Sequence, residues 1–71
     1  MPDELITVRI NGESRTVPAG LSVHALLLHL GLSPRVLAVE MNREVVEPDK
    51  LESVMVQAGD EMEIVHFVGG G

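Results

Sequence analysis

A single short helical stripe does most to constrain what this chain can fold into. Val23, Leu26, Leu27 and Leu30 stand at the i, i+3, i+4, i+7 spacing of one helix face, with Ser22 placed to cap the start and Gly31 to stop the end. A helix of about two turns does not persist alone in water, so this one has to lie on an apolar surface supplied by other elements. With 71 residues the chain holds one domain, and that surface must come from strands. No cysteine is present to staple so small a fold, and Phe67 is its only aromatic residue. The core is therefore aliphatic, built from Leu, Val, Ile and Met.

The strands can be read from alternation and punctuation. Ile6, Val8 and Ile10 share one face of a strand that ends at Asn11-Gly12, the strongest short hairpin signal available. A plain two-residue turn would put Glu13 and Arg15 on the face of Ile10 and Val8, so a bulge or a longer turn is expected. Pro18-Ala19-Gly20 breaks the second strand before the helix, and Pro34 prevents the helix from continuing. Val36 to Met41 reads as a mostly apolar central strand with Leu37, Val39 and Met41 toward the helix. Asn42-Arg43-Glu44 turns into a short strand around Val45 and Val46, and Pro48-Asp49 opens a loop or single helical turn through Ser53 that Val54 would anchor. After the turn at Ala58-Gly59-Asp60-Glu61 the last strand runs from Met62 to Val68, with Met62 and Ile64 on one face and Val65 and Phe67 on the other.

Hairpin, helix, two short strands and a final strand suit an α+β roll, a mixed sheet of four to five strands packed on one helix. If the last strand pairs with the first, as a right-handed crossover from the hairpin would allow, the chain's end comes out of a rigid strand. The domain is assigned to residues 1–68 and a flexible glycine tail to residues 69–71.

Eleven acidic against five basic residues give a formal charge of −6, which opposes a phosphate backbone or an anionic membrane surface and favours a partner with a basic face. No apolar run approaches the roughly 20 residues that span a bilayer, and the N-terminus opens Met-Pro-Asp-Glu without a basic and then apolar segment. A cytoplasmic protein, monomeric on its own, is expected.

Gly69, Gly70 and Gly71 carry the most chemistry. Three glycines are poor strand material, yet fully extended they reach roughly 10 Å and could carry a carboxylate into a cleft too narrow for side chains. A carboxylate is inert until activated; transfer to the α-phosphate of ATP would make an acyl-adenylate that a sulfur nucleophile could attack, leaving a terminal thiocarboxylate. Since the chain has no thiol, its C-terminus is the one credible place for it to bear sulfur. The competing reading is a frayed end or a linker remnant.

The order and spacing of Ile10-Asn11-Gly12, Val23-His24-Ala25-Leu26-Leu27, Ala38-Val39-Glu40-Met41-Asn42 with Val45-Val46, Gly59-Asp60, and Glu63 through Gly71 resemble the ThiS family of thiamine-biosynthesis sulfur carriers, which share the ubiquitin-like β-grasp fold. The resemblance spans Ile6 to Gly71; Arg15 departs from it, standing where the family often has an apolar residue. It implies a carrier and not an enzyme. A ThiF-like, E1-related adenylyltransferase would adenylate Gly71 with ATP and Mg²⁺, sulfur from a cysteine desulfurase would make the thiocarboxylate, and thiazole synthase would receive it. Gly70 and Gly69 would give passage, Val65 and Phe67 would dock the partner enzymes, and Val68 would lie at the same contact. The chain itself would hold no cofactor.

Blander readings stand beside these. Phe67 could equally be core. His24 and His29 are five apart on the helix and do not share a face, and with His66 they form no recognisable metal pattern. Asp60, Glu61 and Glu63 suit a solvated face better than acid–base catalysis, and Leu28 suits the rim of the helix. Rival functions are the small subunit of molybdopterin synthase, a ubiquitin-like protein modifier, and a plain β-grasp binding module.

Overall fold

A computed structural model describes residues 4–66. Five strands, β1 (Leu5–Ile10), β2 (Glu13–Pro18), β3 (Leu37–Met41), β4 (Glu44–Val46) and β5 (Glu61–His66), form one sheet in the order β2-β1-β5-β3-β4, with one helix, α1 (Val23–His29). The central pair β1–β5 is parallel and the other pairs are antiparallel, so the sheet is mixed as expected. The part of the last strand assigned to Phe67 and Val68 lies outside the described residues.

The helix forms where the stripe predicts, and its ends are fully accounted for. Ser22 Oγ accepts from the Ala25 N–H at 3.0 Å, while the N–H groups of Val23 and His24 donate to the carbonyls of Val54 and Leu51, both at 2.9 Å. These bonds use donors that a helix start otherwise leaves without partners, and they tie the 47–60 connection to the helix. At the other end Gly31 sits at φ +80°, and Leu32 and Gly31 donate to Leu27 and Leu28, the paired closure that needs a left-handed residue. Val23, Leu26 and Leu27 are fully buried. They pack with Val8, Val17, Val39, Met62 and Ile64 from one face of the sheet.

Two expectations are corrected and a third is extended. The first hairpin has no bulge: Ile10 pairs with Glu13 and Val8 with Arg15 across a two-residue turn in which Asn11 and Gly12 both have positive φ. Glu13 and Arg15 do share the face of Val8 and Ile10, yet they remain exposed. They can do so because β2 is an edge strand and a seven-residue helix is only about 10 Å long, so it does not cover the whole inner face. Within β2 only Val17 is buried. The loop after β4 is anchored by Val54 as expected, which packs against the core and accepts from the Val23 N–H, and in addition by Leu51 and Val56, both buried. Val36 belongs to a 3₁₀ turn, Pro34–Val36, and is exposed, so β3 starts at Leu37.

Candidate functional site

Strand β5 is the element on which the site depends, because the chain passes from it toward Gly71. Its alternation is as predicted. Met62 and Ile64 are buried against the helix side, and Val65 points to the outer face, 56% exposed. Of the residues singled out in the sequence, Val65 lies within the described region; Phe67, Val68, Gly69, Gly70 and Gly71 lie outside it.

The outer face gives Val65 company that the sequence reading missed. Val65 pairs directly with Ala38 on β3, and Val45 on β4, opposite Glu40 on β3, is 64% exposed. Together with Val39, Glu40 and Glu63 they line a shallow depression of about 290 Å³. The signal for Val45 was present in the Val45-Val46 doublet, since neighbours on a strand must face opposite ways; Val46 packs partly against the core, which leaves Val45 outward.

Charge around this patch is arranged against the fold's own interest. Glu40 and Glu63 stand directly opposite each other in the β3–β5 ladder, and like charges so placed destabilise a sheet. Glu61 lies on the same face and, with Glu40, Glu63 and Arg43, borders a second depression of about 230 Å³. Arg9 offsets part of this at 3.9 Å from Glu61, an exposed pair of small energetic value. An apolar centre with an acidic rim suits a partner surface of apolar and basic character.

At the opposite end of β5 from Glu61 the inner face opens into a cavity of about 300 Å³, whose lining includes Asn11, Arg15, Leu30, Leu37, Ile64 and His66. The charged residues of β2 that conflicted with a closed inner face are therefore part of an opening. Among the described residues no three His, Asp or Glu side chains converge on a point that could hold a metal. His24 instead stands 3.8 Å from Glu52.

The sequence profile of the ThiS family matches residues 8–71. This chain belongs to the ThiS family. The sulfur carrier protein ThiS of Bacillus subtilis is 36% identical over 50 residues, which span 70% of this chain and 76% of that protein. The crystal structure of the thiamine biosynthesis protein ThiS from Geobacter metallireducens superposes with a TM-score of 0.81 at 33% identity, covering 93% of this chain and all of that one. The fold is accordingly the ubiquitin-like β-grasp of ThiS structures, and the family is one of small sulfur carriers in thiamine biosynthesis. A thiazole synthase from Paramagnetospirillum magneticum is 48% identical over 62 residues, 87% of this chain. This chain spans about a fifth of the length of the thiazole synthases it matches. Among the described residues, no helix is long and apolar enough to cross a membrane.

Proposed function

We propose that this protein carries sulfur for thiazole formation on the carboxylate of Gly71. The observation that carries the reading is the match of the ThiS profile from the first strand through Gly71. Thiazole synthases that hold a segment similar to most of this chain support a synthase as the sulfur acceptor, since placing carrier and acceptor in one polypeptide raises their effective concentration.

A ThiF-like, E1-related adenylyltransferase takes the Gly71 carboxylate and ATP with Mg²⁺, forming an acyl-adenylate and releasing pyrophosphate. The terminal sulfur of a persulfide, supplied by a cysteine desulfurase, attacks the acyl carbon and AMP departs. A further thiol cleaves the resulting S–S bond, becoming oxidised to a disulfide, and leaves the thiocarboxylate. The folded domain contributes docking and not bond chemistry: the Val65–Val45 patch meets an apolar spot, the Glu40 and Glu63 rim meets cations, and Gly69 and Gly70 let the terminus enter the activating cleft.

Intact mass tests this directly. Incubation with the activating enzyme, ATP, Mg²⁺ and a persulfide donor should add about 16 Da by exchanging one oxygen for sulfur. Deletion of Gly71 should abolish the gain. An unchanged mass for the full chain, with an activating enzyme that charges its own carrier in parallel, overturns the reading.

A further inference from the structure

Strand β5 is flanked unequally. On the β3 side its pairing continues to His66, opposite Leu37. On the β1 side the parallel register ends with Ile10 opposite Met62, because β1 there turns away into the hairpin. One side chain continues the ladder past that point. The Ile64 N–H donates to Asn11 Oδ1 at 2.8 Å, and Asn11 Nδ2 donates to the Ile64 carbonyl at 3.1 Å. The Asn11 N–H already donates to the Met62 carbonyl at 2.9 Å. A carboxamide thus stands in for the next residue of the departed strand, two residues before His66.

We propose that Asn11 is a positioning residue for activation of the chain's end: its carboxamide holds β5 at Ile64 on the side that β1 has left, and so fixes the last described stretch of the strand from which the sequence continues toward Gly71. The role rests on the sulfur-carrier reading above. Its physical basis is that a tethered reactant gains rate from the time it spends in a productive geometry, so a loosened end of β5 lowers the rate of reaction while the outer face of the sheet is untouched. The residue type follows from two demands. The turn requires φ +52° at this position, which Asn tolerates, and Ile64 presents one donor and one acceptor, which the carboxamide matches with two separate atoms.

The fold contains its own control. Asn42, also at φ +52°, holds the beginning of β5: its Oδ1 accepts from the Glu61 N–H at 3.0 Å and its Nδ2 donates to Asp60 Oδ1 at 3.1 Å. It clamps the same strand at the end remote from Gly71.

Asn11→Gly keeps the turn, since glycine accepts positive φ, and deletes both bonds to Ile64. Asn11→Asp keeps the acceptor and sets an oxygen against the Ile64 carbonyl. In the free protein, amide hydrogen exchange at Ile64 should quicken about tenfold in Asn11→Gly. With the activating enzyme and ATP, at a temperature where each variant is folded, kcat for acyl-adenylate formation should fall about tenfold to a hundredfold in Asn11→Gly and at least as far in Asn11→Asp. KM for the carrier should stay within about threefold, and Asn42→Gly should hold both constants within about threefold. An unaltered kcat in Asn11→Gly, or an equal fall in Asn42→Gly, overturns the positioning role while leaving the carrier reading intact. A wild-type chain that accepts no adenylate overturns the carrier reading and the role with it, even where the Ile64 exchange still responds.

Discussion

Replacing Val65 with Asp should uncouple docking from folding. Val65 is 56% exposed on the outer face, and full burial of a valine side chain is worth about 1.5–3 kcal/mol, so just over half of that, about 0.8–1.7 kcal/mol, remains to be gained when a partner covers it. Val65→Ala forfeits most of this and should weaken carrier binding about fivefold. Val65→Asp forfeits it and also buries an unpaired carboxylate, a penalty of about 1–3 kcal/mol or more, so the combined loss should be on the order of a hundredfold. Stability should change little by comparison. The residue buries no face of the core, and the strand preference between Val and Asp spans about 1 kcal/mol, which lowers Tm by about 4–8 °C in a domain of this size. ATP–pyrophosphate exchange at varied carrier concentration, run beside thermal melts, separates the two effects. A kcat/KM within twofold of wild type for both folded variants would remove the outer face from the docking surface. So would a loss in Val65→Asp that tracks its unfolding while Val65→Ala is unaffected.

Leu27 is fully buried, and its truncation to Ala should cost about 2–5 kcal/mol. A domain of 71 residues has roughly 4–11 kcal/mol in total, so the urea midpoint should drop by roughly a fifth or more with the slope unchanged. Leu28→Ala, on the exposed side of the same turn at 55% exposure, should stay within about 0.5 kcal/mol of wild type. In Gly31→Ala a Cβ would meet nothing within 4 Å, but φ is +80°; the cost should be backbone strain alone, about 1–2 kcal/mol by chemical denaturation, and a larger loss would mean the helix end is packed more tightly than its surroundings show.

Local and periodic features were legible in the chain before any folding was considered. The Ser22 cap, the Val23–Leu30 stripe, the Gly31 stop and the Asn11-Gly12 turn signal each follow from short-range sterics and hydrogen bonding, and the structure places the first three as read and a hairpin at the fourth, with a tighter turn than expected. The family resemblance drawn from ordered motifs holds for the same reason: motif spacing records which turns join which strands. Alternation along β5 likewise gave the outward direction of Val65 without reference to any neighbour.

Tertiary structure alone decided the rest. The hydrophobic pattern of the first hairpin argued for a bulge, because a pattern cannot show that β2 lies at the sheet's edge, where a short helix leaves Glu13 and Arg15 uncovered. The facing of Glu40 and Glu63, the gathering of Val45 with Val65, and the grip of Asn11 on Ile64 each join residues far apart along the chain. Such contacts depend on strand order and register, which local preference does not encode. They arise only when the whole sheet closes on its helix.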